Sequence, residues 1–361
     1  MSELKEYKCP ACGGIMEFDS ASQKMKCPYC DTELDVSAFE EPVQEQPAGG
    51  NPAQPQWSSE SADQWTAGDG MRIYECESCG GEIVADENTG ATACPFCGSK
   101  VVMKGQFSGD LKPDYIIPFK LDKKAAKEAY RKHLNGKPFL PKVFKDENHI
   151  DEIKGVYVPF WLFDMNADAD VNYKAQNVRV WSDSSTEYTE VDTYSCHRAG
   201  SLGFDRLPCD ASKKMDDTLM EAIEPFRFDD AVPFKSAYMA GYVADRYDVD
   251  MDSRKQRAAE RAQRSAEISL TKTVSGYDTV TPNGSSVNIR DAHYFYALYP
   301  VWILNSTWHD KKFTFAMNGQ TGKLVGDLPL DKGAFWKYVA GRTGIYAAVI
   351  YALIWAFMTF V

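Results

Sequence analysis

Apolar and polar positions alternate along three stretches of this sequence, 155–182, 185–207 and 285–327, all rich in Val, Tyr, Phe, Thr and Trp. A period of two sends successive side chains to opposite faces, so these stretches predict antiparallel strands. Elsewhere the period lengthens. Asp122 is followed by good helix formers from Lys123 to Leu134, and Asn135-Gly136 stops them, which predicts a capped helix. Ala258, Ala262, Ala266 and Leu270 form a narrow stripe at four-residue spacing on a long helix starting near Asp252 or Ser253. Shorter helices are predicted over 216–224 and around 146–154. From Gly344 to Val361 charge disappears altogether, for 18 residues, about 27 Å as a helix.

Two internal repeats lie on this pattern. Tyr7-Lys-Cys-Pro-Ala-Cys-Gly-Gly14 returns as Tyr74-Glu-Cys-Glu-Ser-Cys-Gly-Gly81, and Cys27-Pro-Tyr-Cys30 returns as Cys94-Pro-Phe-Cys97, every cysteine at an offset of 67. Between the copies, roughly Glu40 to Gly70 is rich in Pro, Gln, Ser, Gly and acid, the composition of a flexible linker. Trp57 and Trp65 stand out in it, either as a docking motif or as side chains packed onto a neighbouring domain. The weaker repeat pairs Val158-Pro-Phe-Trp161 with Tyr299-Pro-Val-Trp302, which predicts two Pro-x-Trp strands in one sheet and two buried tryptophans.

Composition changes the picture in one respect. A chain of 361 residues with 44% hydrophobic and 25% charged residues suits two or three folded domains. The net charge of −12 is unevenly spread: residues 1–105 carry 7 basic against 18 acidic side chains, the remainder 33 against 34. A local charge of −11 opposes nucleic-acid binding by the N-terminal part, because phosphate backbones require a basic footprint. MSELKEYKCP has no apolar segment of a secretory signal, so paired cysteines point to metal rather than disulfides.

The candidate chemistry is therefore metal ligation. A Cys-x-x-Cys knuckle delivers two thiolates at once, and zinc takes four in a tetrahedron. Cys9, Cys12, Cys27 and Cys30 are expected to bind one Zn2+, and Cys76, Cys79, Cys94 and Cys97 a second; iron in a rubredoxin-like site is the alternative. Both sites read as closed and structural. Other motifs fail. Asn318-Gly-Gln-Thr-Gly-Lys323 lacks the spacing of a phosphate loop and reads as a hairpin turn. Asp248, Asp250 and Asp252 lack the glycine and glutamate of a calcium loop and suit a helix N-terminus instead. Cys196, His197 and Cys209 are weak candidates for a third metal. No Ser/His/Asp or Cys/His arrangement is evident, so no catalytic residue is expected. Arg254, Lys255, Arg257, Arg261 and Arg264 form a basic helix face, read as solvated, with lipid, an acidic partner or nucleic acid as alternatives.

Several of these segments resemble a bacterial family of membrane-anchored zinc-ribbon proteins of the transcription-factor-IIB type, some of them labelled helicases or primosomal proteins. The resemblance rests on the CPxCG knuckles, Tyr157-Val-Pro-Phe-Trp161, Asp210-Ala-Ser-Lys-Lys-Met-Asp216, Glu224-Pro-Phe226, Ala240-Gly-Tyr-Val-Ala-Asp-Arg-Tyr-Asp248 and Asn318-Gly-Gln-Thr-Gly-Lys-Leu-Val-Gly-Asp327. It implies partners of the SPFH/flotillin-like or phage-shock type, recruited to the membrane in envelope stress. This chain carries two ribbons where the family pattern has one.

Together these readings predict a multidomain α+β protein. Zinc ribbon 1 spans 1–39, a flexible linker 40–70, zinc ribbon 2 71–105, a mainly antiparallel-sheet α+β domain 106–331, and a juxtamembrane and transmembrane helix 332–361. Trp336, Tyr338, Lys332, Lys337 and Arg342 flank the apolar run, which places the N-terminal domains on the cytoplasmic side of the cell membrane; a buried core helix is the alternative. The expected function is that of a non-enzymatic membrane adaptor, able to oligomerise, whose tethered ribbons present binding surfaces to protein partners. A nucleic-acid-binding protein of replication or transcription is the runner-up. An enzyme acting in the Trp-lined domain is the third class.

Overall fold

The computed structural model describes residues 7–39, 58–59, 63–66, 69–86 and 93–360. The first ribbon is a three-stranded antiparallel sheet, β1 (Glu17–Asp19), β2 (Lys24–Lys26) and β3 (Glu33–Leu34). A twelve-stranded sheet holds the rest. In chain order its strands are β4 (Ser58–Ser59), β5 (Met71–Cys76), β6 (Glu82–Asp86), β7 (Val101–Gln106), β8 (Tyr115–Ile116), β9 (Lys154–Ser182), β10 (Glu187–Asp210), β11 (Val232–Pro233), β12 (Val243–Asp245), β13 (Thr279–Trp308), β14 (Lys311–Asn318) and β15 (Leu324–Gly326). The helices are α1 (Lys123–Leu134), α2 (Glu147–Ile150), α3 (Asp217–Ala222), α4 (Met251–Thr271) and α5 (Lys332–Phe360).

Two strands of 29 and 30 residues, β9 and β13, pair antiparallel from Gln176↔Thr279 to Lys154↔Ile303. Their near halves read as unbroken apolar runs, and Val156–Phe163 and Phe295–Leu304 are buried on both faces. The two Pro-x-Trp segments are neighbours there, with Pro159 opposite Leu298 and Pro300 opposite Tyr157. Both tryptophans are buried anchors: Trp161 Nε1 donates to the Val249 carbonyl at 2.9 Å and Trp302 Nε1 to the Leu121 carbonyl at 3.0 Å. The prolines occupy gaps. The outer edge of β9 is taken by β12 at Val156 and Tyr157 and by β10 from Phe160 onward. The outer edge of β13 is taken by β8 at Ala297 and Leu298 and by β14 from Val301. A residue without an N–H therefore falls where one neighbour has ended and the next has not begun, and no ladder bond is lost.

Beyond Asp164 the strands leave the body as an arm. Ala167, Ala169, Val171 and Tyr173 point under α4 and are buried, while Asn166, Asp170, Asn172 and Lys174 face solvent. Alanines on both sides let helix and sheet approach closely, and Ala258, Ala262 and Ala266 are wholly buried. The helix begins at Met251, one or two residues before the expected start, because Asp250 is the cap and accepts the Ser253 N–H at 2.8 Å. At the far end Val178, Val180, Trp181, Tyr188 and Val191 are exposed, Trp181 stacking on Tyr188 with ring centroids 5.7 Å apart.

The basic face of α4 does not lie open to solvent. Arg254 binds Asp217 at 2.9 Å and the buried Asp210 at 3.2 Å, Arg257 binds Glu221 at 2.7 Å, and Arg261 binds Glu224 at 2.6 Å. Three of the five basic residues are thus consumed by α3 and its flanks. Only Arg264 and part of Lys255 remain at the surface, Lys255 with Asp252 at 2.6 Å.

The described part of 40–70 is not a free tether, and Trp57 lies outside the described residues. Trp65 is buried between Phe107 and Phe234, centroids 5.8 and 5.4 Å away, because an indole this size gains more from burial than its short segment loses by ordering. The ribbons are not free either. β6 pairs with β12, and β12 with β9, so one sheet runs unbroken across 105/106. The first ribbon docks through Phe18, whose ring meets Tyr238 at 5.2 Å and whose N–H donates to the Ala240 carbonyl at 3.1 Å.

Two outcomes follow for stability. Ala262→Leu is expected to cost about 1–3 kcal/mol by overpacking the helix–sheet contact, read as a lower Tm in mild detergent. Burial pushes the Asp210 carboxyl up to about 7, against the pull of Arg254. The folded chain then holds this proton more tightly than the unfolded chain. Asp210's contribution is full below the ordinary carboxyl range and is lost as the pH rises to about 7. Asp210→Asn is expected to remove that share of the fall in Tm; identical Tm–pH curves for the two proteins would contradict it.

Candidate metal centres

Four tight turns carry the eight cysteines, and all four close in the same way. The fifth residue donates back to the first cysteine's carbonyl (Gly13 to Cys9 at 2.8 Å, Asp31 to Cys27 at 3.0 Å, Gly80 to Cys76 at 2.8 Å, Gly98 to Cys94 at 3.0 Å). That residue sits at φ 73°, 57°, 65° and 78°, the left-handed region, so glycine fills it in three knuckles and Asp31 in the fourth. Gly14 and Gly81 are needed for a different reason. A Cβ would come within 2.6 Å of the Tyr29 ring or 3.2 Å of the Phe96 ring, the aromatic residue of the opposite knuckle.

The turns bring together the cysteines predicted from spacing, in the predicted sets. Cys9 and Cys30 are 3.5 Å apart at sulfur, as are Cys12 and Cys27; in the second set Cys76–Cys97 is 3.4 Å and Cys79–Cys94 3.6 Å. Within each set all four sulfurs lie within 4.8 Å of one another. These separations are far above a disulfide length of about 2.05 Å. They are close to the edge of about 3.8 Å that a tetrahedron with metal–sulfur bonds of about 2.3 Å requires. Each set can hold one metal ion, in a geometry consistent with zinc. Burial works against a thiolate at Cys9, but backbone N–H donors at Ala11 and Cys12 outweigh it and bring its pKa to about 6. At Cys97, burial is likewise outweighed by donors at Ser99, again to about 6. Each set thus contains a thiol prepared to ionise.

The two centres differ in their surroundings. Cys12 and Cys30 of the first are exposed. The second is gripped by the main body. Lys154 donates to the Ala93 and Cys94 carbonyls at 3.2 and 3.4 Å, Lys214 to the Cys79 carbonyl at 2.8 Å, Lys312 to the Phe96 carbonyl, and Asn305 to the Pro95 carbonyl at 2.7 Å. Four thiolates around a divalent ion leave a charge of −2, which these ammonium groups offset while fixing the knuckle backbone. Sequence reasoning missed them, since each is distant in the chain. Lys214 alone had a signal, its place in Asp210–Asp216.

The remaining candidates separate. Cys196 and Cys209 lie opposite Tyr173 and Trp161 on β9, about 40 Å apart along β10 at ~3.3 Å per residue. His197 is exposed on the other face, 2.9 Å from Asp170. Asp248 accepts the Lys213 N–H at 2.6 Å, and Asp252 pairs with Lys255. Asn318 and Gln320 form the expected turn between β14 and β15, and they also clasp a distant loop. Asn318 donates to the Ile223 and Pro225 carbonyls at 3.1 and 3.2 Å, and Gln320 to the Arg227 carbonyl at 2.9 Å.

The chain is 30% identical over 338 residues to the uncharacterized protein YdjG of Bacillus subtilis (strain 168), covering 94% of both chains. A 35-residue stretch, 9% of the chain, is 49% identical to DNA-directed RNA polymerase subunit Rpo12 of Thermococcus onnurineus (strain NA1) and spans 71% of that subunit. No family model and no solved structure matches.

Metal analysis of the purified chain is expected to find two ions; clearly fewer would refute the pairing of the eight cysteines. Lys312→Met is expected to speed release of one ion to a chromogenic chelator about tenfold, leaving the other unchanged. Equal release of both ions in variant and wild type would show the lysine contacts to be incidental.

Proposed function

The chain belongs to the same family as Bacillus subtilis YdjG, and on that premise we propose that it is a membrane-anchored adaptor that recruits protein partners and carries out no chemistry of its own. α5 supplies the anchor: Lys332–Trp355 is long and apolar enough to cross a membrane, and none of it is buried in the protein. Lys332, Lys337 and Arg342 before the apolar run support a body on the cytoplasmic face of the cell membrane. Zn2+ in both four-cysteine sites serves as structural cement. Anchoring partners in two dimensions raises their effective concentration without a catalytic step.

The observation that carries this reading is the arm. β10 pairs only with β9 among the described residues, so one edge of a 24-residue strand is open, and it leads to an apolar tip. An open edge is a template for another strand. The tip also states a preference: Asp183, Glu187, Glu190 and Asp192 outnumber Arg179. The partner this favours adds a strand with apolar and basic side chains. SPFH/flotillin-like or phage-shock proteins acting in envelope stress are the class that the family resemblance suggests.

The runner-up, a nucleic-acid-binding protein of replication or transcription, is favoured by one finding, the ribbon-length likeness to an RNA polymerase subunit. Against it stand the charge of −11 over residues 1–105 and the consumption of Arg254, Arg257 and Arg261 within the fold.

A pull-down from native membranes in mild detergent, with a nuclease-treated control, separates the two. SPFH or phage-shock proteins are expected, insensitive to nuclease. Val191→Lys with Trp181→Ala is expected to lose them at least tenfold while keeping both metal ions. Nuclease-sensitive recovery of replication or transcription proteins would overturn the adaptor reading.

A further inference from the structure

In a chain of net charge −12, two neighbouring stretches carry cations without an acid among them, although Asp146, Glu147 and Asp331 border them. Between Ala129 and Lys145 the charged residues are Arg131, Lys132, Lys137, Lys142 and Lys145, and after Asp331 they are Lys332, Lys337 and Arg342. Arg131 is engaged by Glu147. The others give seven cations, of which all but the half-buried Lys137 are exposed.

The fold joins these two segments. The Asp331 N–H donates to the Phe139 carbonyl at 2.8 Å, and the Phe139 ring meets Phe335 and Tyr338 edge-on, with centroids 5.3 and 5.2 Å away. The loop after α1 is thereby pinned to the first turns of α5. Beside Phe139, the backbone of Gly136 and Pro138 and the side chains of Lys137 and Lys145 wall a shallow hollow. Lys145 Nζ donates to the Lys137 carbonyl at 3.4 Å, which holds one ammonium group at its rim, and the Lys137 ammonium rests 3.1 Å from His133 Nε2.

Height along α5 decides what this surface meets. If the hydrocarbon begins at Gly344, Tyr338 stands about 9 Å and Phe335 about 14 Å before it, at 1.5 Å per residue. The polar layer of a bilayer is about 5–8 Å deep on each side. Phe139 and its neighbours then sit at the outer margin of the headgroups, within a Debye length of about 8 Å. Cations so placed attract anionic lipid. The acidic ribbons and arm tip are repelled by the same surface.

We propose that this collar binds the phosphate headgroups of anionic phospholipids, one of them seated between Lys137 and Lys145, and so fixes the body's orientation on the membrane. The inference rests on α5 crossing the bilayer. Its occupant is the lipid surface rather than free phosphate, because the site is assembled at the root of the anchor and faces the level where headgroups lie.

The test uses the full chain reconstituted into vesicles of phosphatidylcholine alone or mixed with phosphatidylglycerol. Lysine acylation is followed residue by residue by mass spectrometry. Modification of Lys137, Lys142 and Lys145 is expected to slow several-fold in the anionic vesicles, while Lys174 on the arm is unchanged. Lys137→Glu with Lys145→Glu is expected to erase the slowing at Lys142, and the milder Lys137→Gln with Lys145→Gln to weaken it. Equal rates in both vesicles, with the chain still resisting carbonate extraction, would overturn the collar and leave the anchor standing. Slowing reproduced by inorganic phosphate in neutral vesicles would overturn the lipid assignment. A chain released by carbonate would overturn the anchor and the collar together.

Discussion

The antiparallel ladder between β9 and β13 supports the rest of the molecule, because the buried halves of these two strands must place every N–H and C=O on some partner. Each strand satisfies one edge with the other. The second edges then become attachment sites, and the strands that join them carry further strands outward, β11 on β8, β15 on β14 and β6 on β12. β12 and β10 share the edge of β9; β4, β8 and β14 share that of β13. The exchanges happen at Pro159 and Pro300. What looks in the sequence like a repeated motif is a repeated solution to the problem of changing neighbours without orphaning a donor.

Much of this was legible beforehand, and the parts that were not share a cause. The eight cysteines announced themselves by local spacing, the alanine stripe by its period, and the tryptophans by size. Each of those signals is contained within a few residues. The ion ladder is not: Arg254, Arg257 and Arg261 find Asp217, Glu221 and Glu224 about 37 residues away. The matching spacing of the two sets, three to four residues each, was the available clue. The lysines on the second centre and the burial of Trp65 depend on tertiary approach, which no local pattern encodes. Duplication also misled. Two copies of one motif suggested two equivalent modules, yet one was built into the main sheet and the other docked at Tyr238 and Ala240.

The net charge of −12 conceals a sorting of charges by location. Acid gathers in the N-terminal ribbons and at the tip of the arm. Lysines gather over the backbone of the second four-cysteine site. Arginines of α4 interlock with the carboxylates of Asp210, Asp217, Glu221 and Glu224, a largely buried arrangement that contributes specificity of docking more than net stability. The sum of charges describes none of these surfaces.

The length of the central strands has a temporal side. Gln176 of β9 pairs with Thr279, and Lys154 with Ile303, so the inner edge of β9 has no partner until more than a hundred further residues exist. At ribosomal speeds of about 5–20 residues per second, that interval lasts roughly 5–20 s. The hairpin partner β10 arrives almost at once, but it covers only the other side. During synthesis the most apolar strand of the protein is therefore half of an unfinished sheet, and its safety in that period depends on the order in which the chain leaves the ribosome and on whatever shields it there.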